Sequence, residues 1–195
     1  MCPESGSTTA TCAAHDSAFH AGTDNNRGAL EIRVAHRSDL IVLNALLHHL
    51  DYETPYLGFL PGERSPQALE LQRSIIADAS GSTGVILLAL LNTNAIGFLQ
   101  AQICPLQRLR HTLTIEIGIR KPFMGQGTGK RLLAATEQWA RERNAHRLEL
   151  TVATGNERAL ALYRKCGFAI EGARRHAMLI DGTYLDEYLM GKLLS

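Results

Sequence analysis

An α/β domain with a mixed sheet and helices on both faces is the fold class this sequence predicts, and three observations predict it. Apolar positions recur with period two or at steps of three and four in the order β-α-α-β-β-β-α-β-α-β-β. Three strand-like runs follow one another between residues 85 and 119, the first two joined by the short polar turn Asn92-Thr93-Asn94, which reads as an antiparallel pair. A turn carrying Gly125, Gly127 and Gly129 then leads from a strand directly into a helix. With 195 residues, 45% of them hydrophobic, the chain can bury one ordinary core and is short for two.

Taken in order, residues 1–26 are rich in Ser, Thr, Ala, Gly and Asn without a sustained apolar period, and read as a disordered or loosely ordered tail ahead of a single domain over 27–195. Leu30, Ile32 and Val34 alternate as a short strand, and Leu40, Leu43, Leu47 and Leu50 recur at helical steps. Pro55, Gly58, Pro61 and Gly62 punctuate a loop, after which Ser65-Pro66 supplies an N-cap and a first-turn proline for a helix to about residue 79. Strands are expected over 85–91, 95–103 and 111–119. The glycine turn opens a helix to about residue 143, followed by a strand over 147–153 and a helix from Asn156 to Cys166 that Gly167 ends. Two last strands, about 168–179 and 184–192, flank the turn Asp181-Gly182.

Composition narrows the function. The formal net charge is +1 and no Lys/Arg run is interleaved with aromatics, so the basic footprint of a nucleic-acid binder is missing. The longest apolar run, 85–91, falls far short of the ~20 residues of a membrane span and reads as a buried strand. The first Lys or Arg is Arg27, so the N-terminus lacks the order of a secretory signal, and a cytoplasmic protein without membrane partners is expected. Cys2, Cys12, Cys104 and Cys166 show no C-x-x-C spacing and the 8 histidines are scattered, which favours free thiols and no metal.

At the glycine turn, backbone N–H groups can converge without Cβ obstruction, and the helix start adds unpaired donors and the positive end of a dipole. Pyrophosphate is the natural ligand. The helix-end charge contributes only ~0.3–1 kcal/mol, so several N–H bonds must share the binding, with Lys130 adding a screened charge. A purely structural strand-to-helix turn would use the same residues. Two other phosphate loops fail on spacing. Met124 stands at the first glycine of a P-loop and Arg131 at its hydroxyl residue; counting G-x-G-x-x-G from Gly125 puts Lys130 last, after a strand that reads as part of a meander rather than the opening of a βαβ unit.

Three segments stand in a telling order: Ile115-Glu116-Ile117-Gly118-Ile119, then Met124-Gly125-Gln126-Gly127-Thr128-Gly129-Lys130, then Asn156-Glu157-Arg158-Ala159-Leu160-Ala161-Leu162-Tyr163-Arg164-Lys165-Cys166-Gly167-Phe168. Together they resemble the GNAT N-acetyltransferase family over roughly 115–172. That family orders a glutamate-bearing strand, [RQ]-x-x-G-x-[GA], a helix, a strand and N-x-x-A-x-x-L-Y-x-x-x-G-F; Met124 departs from it where Arg or Gln is usual. The run 181–190 is similar to the amino-acid and small-amine branches. The resemblance implies a central, mostly antiparallel twisted sheet flanked by about four helices, acetyl-CoA as co-substrate, and a small amine acceptor such as an amino acid. It also implies that residues 124–130 bind mainly through backbone N–H groups, that the Ile117-Gly118-Ile119 backbone meets the acetyl and pantetheine amides, and that Asn156 both caps its helix and reaches the cofactor.

Acyl transfer to an amine needs a neutral amine, a stabilised oxyanion and a protonated leaving thiolate. Leu113, Ile115, Ile117 and Ile119 face one way along their strand while Thr114, Glu116 and Gly118 face the other, so Glu116 need not sit in the apolar core and is the candidate base. A carboxylate near ~4.3 is a poor base for an ammonium near ~10, so Glu116 must act through water or with a raised pKa. Its bland alternative is a structural or solvated glutamate. Asn156 and Tyr163, seven residues apart, share one side of their helix. By resemblance Tyr163 serves the leaving thiolate; as a phenol near ~10 facing a thiol near ~8.5 it would stabilise more than transfer, and core packing is the alternative.

Competing functions are a non-catalytic acyl-CoA sensor, a protein N-terminal or lysine acetyltransferase, and a nucleotide-binding domain, which the loop spacing disfavours. Arg174, Arg175 and His176 could hold a substrate carboxylate or form a solvated strand end. The C-terminal strands leave room for pairing into a homodimer.

Overall fold

Each period-two run pairs into one sheet, and each run at helical spacing lies on one of its faces. The computed structural model describes residues 29–194; the tail expected over 1–26, with Cys2 and Cys12, lies outside them. The strands are β1 (Leu30–Val34), β2 (Gly84–Leu91), β3 (Asn94–Ile103), β4 (Thr112–Ile119), β5 (Arg147–Ala153), β6 (Ala169–Ile180) and β7 (Thr183–Leu193). The helices are α1 (Leu40–Glu53), α2 (Glu70–Ala77), α3 (Thr128–Arg141) and α4 (Glu157–Lys165). The sheet order is β1-β2-β3-β4-β5-β7-β6, antiparallel at every pair except β4–β5.

Local chemistry sets the boundaries. Ser65 Oγ accepts from the Ala68 N–H at 3.3 Å, and Pro66 opens a 3-10 turn (Pro66–Leu69) ahead of α2. That helix stops at Ala77, two residues before the expected end, because the Asp78 carboxylate gathers the Ser80 and Thr83 N–H groups and both serine hydroxyls into a loop. α3 stops at Arg141 because Asn144 turns left-handed (φ 56°) and the Ala145 N–H reaches back to the Ala140 carbonyl at 3.0 Å.

Two cores lie on opposite faces of the sheet. Val85, Leu87 and Ala89 join Leu113, Ile115, Leu132, Leu133, Leu150 and Leu160 beneath α3 and α4. Ile86, Leu88 and Leu90 join Leu43, Leu47, Leu50, Ile75 and Phe98 beneath α1 and α2. The continuous apolar run of β2 is thus buried on both sides, as its composition requires.

The β4–β5 pair corrects one expectation. β4, α3 and β5 do form a parallel βαβ unit, because period-two patterning carries no strand direction; the dinucleotide fingerprint still fails on Lys130. Pairing covers only Thr112↔Arg147, Leu113↔Leu148 and Thr114↔Glu149, after which the two strands part as a fork.

Candidate active site

From the end of β4 the chain makes a 3-10 turn (Lys121–Phe123), extends at Met124, and passes through Gly125 (φ 79°) and Gly127 (φ 84°) before α3 begins at Thr128. Both angles are left-handed, and a Cβ at either glycine would meet nothing within 4 Å, so conformation rather than crowding within the chain requires glycine there. Gly129 has another cause. A Cβ on it would stand 2.7 Å from Leu162 Cδ2 and 3.2 Å from Ile119 Cδ1, so its hydrogen lets α3 close onto α4 and β4. The Arg131 N–H bonds to the Gly127 carbonyl at 3.1 Å as the first intrahelical bond. The N–H groups of Thr128, Gly129 and Lys130 precede it and have no helical carbonyl to which to donate.

The fork supplies a second row of donors. The Arg120 N–H donates to Ile96 on β3 at 2.9 Å, so by strict alternation the Ile119 and Ile117 N–H groups point the other way, into the opening that β5 has left. The Gly118 N–H is directed at β3, and its missing Cβ is explained by Leu50 Cδ1 at 2.7 Å and Phe98 Cε1 at 2.8 Å from where it would stand. A cavity of about 1630 Å³ runs along the fork from the glycine turn to the β6–β7 hairpin. Sites for single small ligands span about 300–1,000 Å³, so this one has room for two substrates end to end.

Of the residues singled out in the sequence, Glu116, Ile117, Gly118, Ile119, Met124, Gly125, Gly127, Gly129, Lys130, Asn156 and Tyr163 all line this cavity. Gln126 and Thr128 do not. The Gln126 amide turns back to the Pro122 carbonyl at 3.2 Å, and Thr128 is buried at the head of α3.

Glu116 projects toward the α1/α2 face, as strand alternation predicts, and is partly buried. Burial raises its pKa; the nearby Arg64 guanidinium opposes the shift and the Asp51 carboxylate adds to it. Arg64 and Asp51 are themselves a buried bidentate pair, 2.6 and 3.0 Å apart, with the guanidinium stacked 4.3 Å from the Phe59 ring centroid. Tyr163 is buried, with its ring tilted against Phe168 at 5.9 Å. Burial, then the charge of Glu116, pushes its phenol well above the usual range. Asn156 Oδ1 accepts the Ala159 N–H at 3.2 Å, the expected cap, which leaves its amide NH2 as a donor toward the cavity.

Sequence reasoning missed several neighbours. Glu53 binds Arg120 and the Lys121 N–H, and Tyr56 reaches the Gly155 carbonyl; both line the cavity, and no local pattern marks either contact. Arg174, considered as a carboxylate ligand, is taken by the buried Glu187 at 3.1 Å. His176 holds a left-handed backbone (φ 51°) where the β6–β7 register slips, with its ring stacked on Tyr184 at 5.0 Å. Among the described residues no helix is long and apolar enough to cross a membrane, and no group of three or more His, Cys, Asp or Glu is placed to hold a metal ion.

Comparison with known proteins gives the family and the fold. Residues 47–168 match the Acetyltransferase (GNAT) family. An L-amino acid N-acetyltransferase of Escherichia coli K12 is 27% identical over 111 residues, 55% of this chain and 67% of that protein. An N-alpha-acetyltransferase of Mycobacterium tuberculosis is 39% identical over 74 residues, 38% of this chain and 44% of that protein, so the chain spans less than half of this second relative. A crystal structure of a GNAT-family acetyltransferase from Streptococcus pneumoniae aligns with a TM-score of 0.79 at 32% identity, covering 86% of this chain and all 100% of that one. A putative acetyltransferase from Salmonella typhimurium, solved with its cofactor acetyl-CoA, shares the fold at TM-score 0.74 and 18% identity over 86% of this chain and 95% of that one. With the family matched over more than half its length and its fold shared along the sheet, the chain belongs to the GNAT family of acetyl-CoA-dependent N-acetyltransferases.

Proposed function

We propose that the enzyme moves an acetyl group from acetyl-CoA to the primary amine of a small molecule, an amino acid or a similar acceptor, by direct attack in a ternary complex. One observation carries this reading: a single cavity joins the free N–H groups at the head of α3 to Glu116 and Tyr163 at the fork. The residues present suit acetyl-CoA. Its pyrophosphate matches the Gly129 and Lys130 N–H groups, with Gly125 and Gly127 leaving the approach open. Its amides match the Ile117 and Ile119 N–H groups and the Asn156 amide. When bound, it supplies an activated thioester carbonyl.

The chain's own groups do the rest. Glu116, with its pKa raised by burial, takes the amine proton through an ordered water more readily than an exposed carboxylate would. Burial holds the Tyr163 phenol above its ordinary pKa, so below that value it keeps its proton and its hydroxyl stabilises the sulfur as charge develops there. The Met124 N–H, expected among the phosphate donors, instead closes the turn on the Lys121 carbonyl at 3.4 Å, a contact that does not depend on its side chain.

A panel of amino acids, polyamines and peptides, assayed by direct detection of the acetylated product, tests the acceptor; Cys104 and Cys166 are free and would disturb a thiol dye. Product from amino acids supports the reading. Product from peptides alone would favour a protein N-terminal acetyltransferase, the activity named for the Mycobacterium tuberculosis relative. Acetyl-CoA binding without product from any acceptor would favour the sensor. A cytoplasmic setting and pairing of two copies through the C-terminal strands belong to the same reading; β6 is an edge of the sheet with Ile170 and Leu179 exposed, and a monomer by light scattering would refute the pairing.

A further inference from the structure

Glu53, the last residue of α1, spends both carboxylate oxygens on the entry to the glycine turn. Oε1 accepts from Arg120 Nε at 3.0 Å and Nη2 at 2.8 Å, and Oε2 accepts from the Lys121 backbone N–H at 2.7 Å. Arg120 and Lys121 are the residues through which β4 passes into that turn. The pair is sheltered, with side chains 19% and 30% exposed, and a charged acceptor with three donors is among the stronger contacts a partly buried site offers.

Beyond Glu53 the helix ends at Thr54, and three residues on from Glu53 the Tyr56 hydroxyl donates to the Gly155 carbonyl at 3.4 Å. Gly155 lies between β5 and Asn156. Residues 54–58 are therefore fastened to both prongs of the fork, to β4 by Glu53 and to the turn before α4 by Tyr56, and all five line the cavity.

We infer that Glu53 is a positioning residue that couples this strap to the phosphate turn, so that filling the turn also orders residues 54–58 over the reacting end. The inference rests on the proposed acetyl-CoA site. Because Oε2 holds a backbone N–H of the turn's entry, a change in the turn's position is felt at Glu53, and the one-residue step to Thr54 passes it to the strap. Coupling of this kind is reciprocal: an ordered strap favours a filled turn.

Hydrogen–deuterium exchange of the full chain, with and without saturating CoA, tests it. In the unmodified protein CoA is expected to slow exchange at 125–131 and, by about fivefold or more, at 54–58. Glu53→Gln and Arg120→Gln, each melting within a few degrees of the parent, should keep the protection at 125–131 and lose it at 54–58. A residue needed only for folding would lower the melting temperature without separating the two segments. Protection at 125–131 alone in the parent, or protection of the strap that survives both substitutions, would overturn the coupling. No protection at 125–131 would overturn the phosphate assignment of the turn, and the coupling with it.

Discussion

Arg64 and Asp51 form an ion pair closed off from water, with side chains 2% and 0% exposed, on the face of the sheet where Glu116 stands. Removing one partner of such a pair leaves an uncompensated charge, which costs about 3–5 kcal/mol. Arg64→Met is expected to lose that much stability in urea denaturation, and Asp51→Leu combined with Arg64→Met to recover most of it. The single change should also raise the Glu116 pKa further, since Arg64 holds it down while Asp51 pushes it up, so the acid limb of activity in any folded enzyme moves to higher pH. A single variant as stable as the parent would show that the pair is dispensable.

The base role proposed for Glu116 sets function against stability. Burial raises its pKa, so between the unfolded value near ~4.3 and the folded value the native state binds more protons than the unfolded chain. Stability from this group is therefore fully present below the unfolded pKa and is lost as pH rises through the folded one. Glu116→Gln removes the buried charge. It should be more stable than the parent at pH 7 and equal to it at acid pH, while kcat falls about 10²–10⁴-fold and the low-pH limb disappears. Thermal unfolding and pH–rate profiles check both arms; an unchanged limb would take the base role from Glu116.

What the sequence discloses is what is local. The strand over residues 147–153, the cap at Asn156 and the hairpin turn at Asp181-Gly182 depend on side-chain alternation or on neighbours within a few residues, and all three stand where they were expected. Glu53 lies 67 residues from Arg120 and Tyr56 lies 99 from Gly155, and neither contact follows from any spacing in the chain. Direction was hidden as well, since the apolar pattern of β5 would be the same had it run antiparallel to β4. The motif residues were legible for a different reason: an ordered set of three segments resembles a family, and the fork brings those segments to one cavity.

Tyr163→Phe isolates the hydroxyl. The ring packs on Phe168 in the core under α3 and α4, and phenylalanine preserves that contact, so the melting temperature should change little. The phenol is pushed upward in pKa, so the parent should show no activity limb from its ionisation below pH ~10, its ordinary value. Loss of one donor to developing charge is expected to lower kcat by about 10²-fold and kcat/KM in parallel. A rise in KM at constant kcat would instead make Tyr163 a ground-state binding contact, and unchanged kinetics would return it to packing alone.

Gly127 and Gly129 stand two residues apart in one motif, yet alanine should fail at them in different ways. At Gly129 the added methyl meets Leu162 Cδ2 at 2.7 Å and Ile119 Cδ1 at 3.2 Å, so α3 must move from α4 and β4; overpacking of this kind costs about 1–3 kcal/mol. At Gly127 the methyl has open space, and the cost is the left-handed backbone at φ 84°, about 1–2 kcal/mol for a residue with a Cβ. Stability alone would not separate the two. Affinity should, because relief of strain at Gly127 turns the loop out of the shape that lets its N–H groups converge, whereas Gly129→Ala shifts a helix that still presents them. Calorimetric titration with CoA is expected to show the larger loss for Gly127→Ala, and equal losses in two folded variants would overturn the role of the left-handed turn at Gly127 in presenting the N–H groups.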